Sequence, residues 1–422
     1  MCGLLLNISA NEIDKENFLS ALSLLDHRGP DAKNFIWSNN ENLKINIPND
    51  TYFKKKTTVN LILGHTRLSI VDLTPASNQP MISEDKRYAL AYNGEIYNFK
   101  EIRDELIYNG MEFVTSGDTE VLLKAFIFWG IDCVKKFNGM WSFIIYDNEK
   151  KNIYLSRDPL GKKPLYYYLK DKQFIVGSEF KSIFRLLNKN EREVNPKFLS
   201  AFLFHDHSPT LTNNETFYSN ILNVEPGNTI VINTKTFKIK HIKNNIIDKY
   251  IFKTNSTKNL ETELQSCVDL RLRTDVPIAV LVSGGVDSSL MAALVKNSTK
   301  IKKKDITFYT ANSPNSSDLK YAKTIAKSLN VKIKIINIPH DSKGIINIEE
   351  MLNQYEIPLQ LGGLSSAAFY MNKKIAEDGI KVIIDGTGGD EIFSGYHKEY
   401  RTSFILSLIY SLNLQQAFKL SK

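Results

Sequence analysis

The chain has 422 residues, 42% hydrophobic and 24% charged, so it can bury more than one core and is neither a single small module nor a disordered tail. Its net charge of +8 is spread along the chain, with triple-lysine runs only at Lys54–Lys56 and Lys302–Lys304, which argues against a nucleic-acid-binding element. Three widely spaced cysteines (Cys2, Cys133, Cys267) define neither a disulfide framework nor a CxxC metal site, and the most apolar late run, Phe404–Leu414, is far short of the roughly 20 residues that span a bilayer, so the expectation is a cytoplasmic protein of two or three domains without a membrane partner.

In chain order, the first 180 residues read as short β-rich runs at Leu61–Leu63, Tyr88–Tyr92, Phe143–Tyr146 and Ile153–Leu155. Helical patterns interrupt them at Phe18–Leu25 and Thr119–Trp129, the second capped by Asp118 or Thr119, and the mixture predicts an α+β layered domain. From about residue 205 to 260 the composition turns to Asn, Thr and Lys around a Pro226-Gly227 turn, which reads as a domain tail and connector. Beyond 260 the rhythm is strand, glycine turn, helix. Strands are expected at Ile278–Val282, Ile306–Thr310, Val331–Ile338 and Lys381–Ile384, with helices at Ser288–Val295, Asp318–Leu329 and Ser365–Ala376. That alternation predicts a doubly wound parallel sheet with its ligand at the carboxyl ends of the strands.

Three features of the first half carry chemistry. Removal of the initiator Met would leave Cys2 with a thiol and a free α-amine on one residue, nucleophile and base together, although a cysteine at this position is commonly incidental. Asn93-Gly94-Glu95 follows a predicted strand, where an Asn amide and a Gly N–H could form an oxyanion hole, although by itself the dipeptide reads more readily as an Asn-Gly hairpin turn. Arg67 could grip a carboxylate bidentately or lie on the surface, and Asp118 could pair with an ammonium group or cap a helix.

Taken in order, Cys2-Gly3, His27-Arg28-Gly29-Pro30-Asp31, the Arg67 segment, Asn93 to Asn98, Gly117-Asp118-Thr119-Glu120 and Arg157 to Tyr166 resemble the glutaminase domain of glutamine-dependent asparagine synthetases. The resemblance implies an N-terminal-nucleophile hydrolase fold, a four-layer αββα sandwich. It implies that Cys2 forms a γ-glutamyl thioester and that Asn93 and Gly94 form the oxyanion hole. Arg67 would bind the α-carboxylate of glutamine, with Asn93, Glu95 and Asp118 holding its other polar groups.

In the second half, Ser283-Gly284-Gly285-Val286-Asp287-Ser288-Ser289 lies between an apolar strand and an apolar helix, where glycine N–H groups, serine hydroxyls and a helix N-terminus suit a polyanion. Asp385-Gly386-Thr387-Gly388-Gly389-Asp390-Glu391 follows a later strand, so Asp287 and Asp390 could share a Mg²⁺ on the phosphates. The first loop resembles the signature of ATP pyrophosphatases. In the asparagine synthetase pattern, Leu281, Val282 and Gly386 would border the adenosine, with Thr310 and Asp318 in a second nucleotide-facing segment and Asp385 in the loop beside it. Ser394-Gly395-Tyr396 continues the match, and Arg401 or Lys398 stands where the family carries a catalytic lysine.

The implied organisation is a glutaminase domain at 1–200, a connector and tail at 201–255, and an α/β ATP-pyrophosphatase synthetase domain at 256–422. The implied reaction uses glutamine, ATP with Mg²⁺ and a carboxylate acceptor, aspartate first, with ammonia channelled between sites; a homodimer is left open. Two departures qualify it. Asp385 and Thr387 stand where the family usually carries a Ser and an acidic residue, which admits another carboxylate as acceptor. Family members normally continue with a further helical segment beyond the position of Lys422, so a short variant, a truncation, a complementing partner or a degenerate non-catalytic paralogue are alternatives.

Overall fold

A computed structural model of the chain describes residues 1–38, 43–46, 59–205, 214–246, 259–313, 316–338, 348–357, 364–393, 395, 407 and 410. They fall into two compact units, Met1–Val276 with Asp341–Phe369, and Pro277–His340 with Tyr370–Lys422.

The first unit begins with strands β1 (Gly3–Ser9), β2 (Ala32–Ser38), β3 (Leu43–Asn46), β4 (Leu61–Arg67), β5 (Met81–Ile82) and β6 (Tyr88–Ile96). It continues with β7 (Gly139–Asp147), β8 (Asn152–Arg157), β9 (Tyr166–Lys170), β10 (Gln173–Gly177), β11 (Leu222–Asn223), β12 (Asn228–Asn233) and β13 (Ile239–Lys243). These form two antiparallel sheets, ordered β11-β9-β10-β1-β4-β2-β3 and β13-β12-β8-β7-β6-β5. Its helices are α1 (Lys15–Ser23), α2 (Phe99–Tyr108), α3 (Asp118–Trp129), α4 (Phe180–Leu186), α5 (Pro196–His205) and α6 (Leu260–Arg271), joined by α9 (Ile348–Tyr355) from later in the chain.

Period-2 alternation along the strands sets the layers. Leu4, Leu6 and Ile8 of β1, Leu61 and Leu63 of β4, Ala89 and Ala91 of β6, and Ile144 and Tyr146 of β7 pack together between the sheets. The alternate residues turn outward: Leu5 and Ile62 meet Phe18 and Leu22 of α1 and Ile183 of α4, while Leu90, Tyr92 and Phe143 meet Ile102 of α2 and Val121 of α3. Helix, sheet, sheet, helix is the result, an αββα sandwich. Gly64 belongs to this packing, since a Cβ there would stand 2.8 Å from Leu22 Cδ2.

Two expectations change. The strand read as Tyr88–Tyr92 runs on through Asn93-Gly94 to Ile96, paired throughout with β7, so the Asn-Gly dipeptide is strand and not a hairpin turn. A Cβ on Gly94 would lie 2.2 Å from the Met140 carbonyl oxygen, so here glycine serves close pairing. Helix α3 is capped by Gly117, not by Asp118 or Thr119, and Asp118 is its first helical residue. Residues 222–246, within the stretch read as domain tail and connector, supply β11, β12 and β13 of the first unit, and Ile246 joins the core beneath α2 and α3.

The second unit holds a parallel four-stranded sheet of β14 (Ile278–Leu281), β15 (Ile306–Asn312), β16 (Ile333–Asn337) and β17 (Val382–Ile384), in the order β16-β15-β14-β17. Helices α7 (Val286–Asn297), α8 (Asp318–Ser328), α10 (Leu364–Glu377) and α11 (Gly389–Phe393) accompany the strands. Strand order reverses between β14 and β17, so the loops leaving their carboxyl ends are adjacent, the place where such sheets bind ligands. Among the described residues no helix is long and apolar enough to cross a membrane.

Candidate functional site

In the first unit the alternation that builds the core also aims the site. Arg67 of β4 and Asn93 and Glu95 of β6 have the parity of the inter-sheet residues, and Cys2, just before β1, sits across from Arg67 because Gly3 pairs with Thr66. A Cβ on Gly3 would meet Thr66 Oγ1 at 2.5 Å, so glycine after Cys2 lets β1 close on β4. The Cys2 sulfur accepts from Leu68 N–H at 3.4 Å, and its thiol reaches the Leu68 carbonyl at 3.8 Å. Arg28 Nε donates to the Cys2 carbonyl at 2.9 Å, while its Nη1 donates to Glu179 Oε1 at 2.8 Å. Burial alone would push the Glu179 carboxyl up, but hydrogen bonds from His27, Arg28 and Lys181 outweigh it and hold it at about 2. The Cys2 backbone is thereby held by a buried Arg28–Glu179 ion pair, in which Arg28 Nη2 has no hydrogen-bond partner among the described residues.

The Arg67 guanidinium is itself held. Nη1 donates to the Thr74 carbonyl at 2.8 Å and to Asn78 Oδ1 at 2.9 Å, and Nη2 donates to the Asp72 carbonyl. Of its five donors, Nε–H and one Nη2–H are then left among the described residues, the side-on pair that suits a carboxylate. The turn that supplies these carbonyls is braced by Asp72, which accepts from Thr74 N–H at 3.0 Å and Ser116 N–H at 2.8 Å.

Strand β5 pairs with β6 only as far as Leu90, and beyond it side chains take the exposed edge. Tyr92 N–H donates to Gln79 Oε1 at 2.7 Å, the Tyr92 carbonyl meets His65 Nε2 at 3.0 Å, and Ile96 N–H donates to Asp118 Oδ2 at 3.0 Å. Gly94 shares their parity, so its N–H faces the same edge between two fixed neighbours. The adjoining Asn93 Nδ2 is fully buried and has no partner among the described residues. Leaving such a donor unpaired costs about 1–3 kcal/mol, which a bound oxygen would relieve. These two N–H donors are the arrangement an oxyanion requires.

Charge around this cleft is strongly displaced. Burial lowers Lys163, against the pull of Glu95 and Cys2; burial and the Asp118 charge push Glu95 up, with Lys163 opposing. Burial also pushes Asp118 up, although Ile96 N–H and the Tyr92 hydroxyl at 2.8 Å favour its charged form. The α-amine in the full chain belongs to Met1, and burial, with Arg28 and Lys163 nearby, lowers it to about 5. Arg28, Glu179 and Lys163 were given no role from sequence, although Arg28 and Lys163 lie inside the quoted strings. Lys163 is presented by a loop that folds over Asp158, whose carboxylate accepts from Leu160, Lys162 and Lys163 N–H at 3.1, 3.0 and 3.0 Å.

In the second unit, Ser283 to Ser289 closes on itself at the carboxyl end of β14. Ser283 and Ser288 hydroxyls are 2.8 Å apart, Gly285 N–H donates to Ser283 Oγ at 3.3 Å, and Ser289 Oγ donates to the Gly285 carbonyl at 2.6 Å. Gly284 has φ +86, and a Cβ there would strike Tyr321 Cβ at 2.4 Å, so loop and α8 are in direct contact. The second loop lies against the first: a Cβ on Gly386 would be 2.8 Å from Ser288 N, and one on Gly389 would be 2.4 Å from Asp287 Cγ. The Asp287 carboxylate thus lies against Gly389, the residue before Asp390, while the Asp390 carboxylate lies against Gly395. Among the described residues no group of three His, Cys, Asp or Glu could hold a metal ion.

Leu281 ends β14, and Val282 N–H extends the strand's bonding to the Tyr309 carbonyl at 2.8 Å. Thr310 of the neighbouring strand is buried, and its hydroxyl has no partner among the described residues. Asp318 opens α8, and its N–H donates to Ser316 Oγ at 3.1 Å. Asp385 accepts from Thr387 N–H at 3.1 Å, an Asx turn within its own loop. Ser394, Tyr396, Lys398 and Arg401 lie outside the described residues.

Comparison with known proteins matches a glutamine amidotransferase domain over residues 48–243 and asparagine synthase over residues 259–417. A Methanocaldococcus jannaschii protein provisionally called a glutamine-hydrolysing asparagine synthetase is 30% identical over 420 residues, covering 94% of this chain and 76% of that one. Asparagine synthetase 1 of Bacillus subtilis is 29% identical over 92% of this chain and 57% of its own length, and amidase chry2 of Gibberella zeae is 27% identical over 93% and 57%. The chain therefore spans little more than half the length of the latter two relatives. Among solved structures, a glutamine phosphoribosylpyrophosphate amidotransferase from B. subtilis aligns with TM-score 0.43 and 17% identity, over 86% of this chain and 72% of that one.

Proposed function

The chain belongs to the glutamine-dependent asparagine synthase family of ATP-dependent, glutamine-hydrolysing ligases, and from that premise we propose that it makes asparagine from aspartate, glutamine and ATP. The observation that supports this most is the pairing, on one chain, of a buried Asn93 Nδ2 with no partner among the described residues and two interlocked loops that bring Asp287 against Gly389, beside Asp390. In this reading residues 1–200 are the glutaminase domain, 201–255 a connector and tail and 256–422 the synthetase domain of a cytoplasmic enzyme.

Loss of Met1 leaves the α-amine on Cys2, where it takes the thiol proton as sulfur attacks the amide carbon of glutamine. The C–S bond forms, the oxygen gains charge between Asn93 Nδ2 and Gly94 N–H, and the C–N bond breaks as the proton passes to the departing ammonia. Water then cleaves the thioester to glutamate. Arg67 holds the α-carboxylate, with Asn93, Glu95 and Asp118 disposed toward the other polar groups. In the second unit the acceptor carboxylate attacks the α-phosphorus of ATP, pyrophosphate leaves toward the Ser283–Ser289 loop, and ammonia displaces AMP from the acyl adenylate. Mg²⁺, held by Asp287 and Asp390, would neutralise charge on the phosphates. Lys398 or Arg401 would supply the cation beside the pyrophosphate.

Asp385 and Thr387 favour a second reading, amidation of a different carboxylate. Asp385 bonds Thr387 N–H, so the loop closes on its own polar groups where relatives of the family place an acid. Pyrophosphate release with ATP, Mg²⁺ and ammonium, measured with aspartate, a panel of uronic acids and no acceptor, separates the two. Aspartate-dependent release with asparagine as product is expected; release only with another carboxylate would establish the second reading. A Cys2→Ala protein should lose glutamine-dependent synthesis and keep the ammonium-dependent reaction.

A further inference from the structure

The donors beside Cys2 are only as useful as their aim, and the aim of Asn93 and Gly94 depends on a stretch of β6 that, among the described residues, lacks a neighbouring strand on one side. Tyr92, immediately before Asn93, is held at its N–H and at its carbonyl by two side chains. Gln79 Oε1 accepts from Tyr92 N–H at 2.7 Å, with Gln79 Nε2 in turn donating to Thr119 Oγ1 at 3.3 Å. His65 Nε2 lies 3.0 Å from the Tyr92 carbonyl. A carbonyl can only accept, so His65 carries its proton on Nε2 and leaves Nδ1 bare, and Nδ1 has no partner among the described residues.

The second contact spans the two sheets. His65 belongs to β4 of the seven-stranded sheet and Tyr92 to β6 of the six-stranded one, and both are fully buried. Two residues further along β4 stands Arg67, and one residue further along β6 stands Asn93. One hydrogen bond therefore links the strand that carries the group assigned to the substrate's α-carboxylate with the strand that carries the donors assigned to its reacting carbonyl.

We propose that His65, assisted by Gln79, is a positioning residue for glutamine hydrolysis, holding the Tyr92–Asn93 peptide so that Asn93 Nδ2 and Gly94 N–H meet the oxyanion of a substrate anchored at Arg67. The inference rests on the glutaminase reading above. Neither side chain touches the substrate. Their contribution is realised where the oxyanion forms, in the transition state, and not in ground-state binding.

The test uses the full-length protein and its His65→Leu, His65→Gln and Gln79→Met variants, with melting temperatures recorded for each. Glutamine hydrolysis gives kcat and KM; inhibition is measured with glutamate γ-semialdehyde, whose carbonyl Cys2 converts to a thiohemiacetal, and with glutamate, which makes no such adduct. His65→Leu and Gln79→Met should lower kcat by about 10- to 100-fold, the cost of a misplacement near 1 Å, with KM changed by less than about 3-fold. Semialdehyde inhibition should weaken by a similar factor and glutamate inhibition should hold. His65→Gln, which keeps a donor, should recover part of kcat. Wild-type kcat in both variants, or equal weakening of both inhibitors, would overturn the proposal. Gln79→Met carries the test if His65→Leu does not fold, and a wild-type protein that hydrolyses no glutamine would overturn the glutaminase reading and this inference with it.

Discussion

His65 is also a residue whose ionisation the fold resists. Burial lowers it from 6.5 to about 4, with the Tyr92 carbonyl only partly opposing. Between those values the unfolded chain takes up a proton that the folded chain refuses, so the stability contributed by neutral His65 is complete above pH 6.5 and is lost as pH falls toward 4. The shift corresponds to about 3 kcal/mol. All three tryptophans, Trp37, Trp129 and Trp141, lie in the first unit, so their fluorescence follows that unit's unfolding in urea. Between pH 7 and pH 4 the wild-type protein should lose about 3 kcal/mol more than His65→Leu; parallel losses would contradict the assignment. Glu179, held at about 2, yields its contribution below this window, and Glu95 and Asp118 act alike in both proteins.

At the scale of elements, glycines decide the two sites for opposite reasons. Gly94 lies inside β6 because the strand must approach Met140 of β7 too closely for any side chain; Asn-Gly reads as a turn in sequence because its turn chemistry is local and the partner strand is not. Gly284 is a turn residue in fact, with φ +86 and no room for a Cβ against Tyr321. Gly284→Ala should therefore push the loop off α8 and reduce ATP-dependent pyrophosphate release by more than about 10-fold, while glutamine hydrolysis remains at the wild-type rate. An unchanged rate of pyrophosphate release would show that the loop does not bind the phosphates.

For the whole molecule, the two units have separate hydrophobic cores, and the proposed reaction assigns each its own chemistry. Asp287→Ala removes a carboxylate wedged against Gly389 in the second unit. It should abolish pyrophosphate release and leave glutamine hydrolysis measurable, the mirror of Cys2→Ala; loss of both activities in either variant would mean that the sites are not independent.

Much of this was legible along the chain because it depends on neighbours in sequence. Apolar runs followed by glycine turns announce the parallel sheet, and the strings around Cys2, Asn93 and Ser283 to Ser289 hold their chemistry within a few residues. What folding alone decided is held by contacts across long separations: Arg28 and Glu179 around the Cys2 carbonyl, Lys163 buried on a loop shaped by Asp158, and His65 reaching from one sheet to the other. No periodicity or spacing encodes such pairs, because each partner satisfies a buried group whose exposure is set only when the sheets meet.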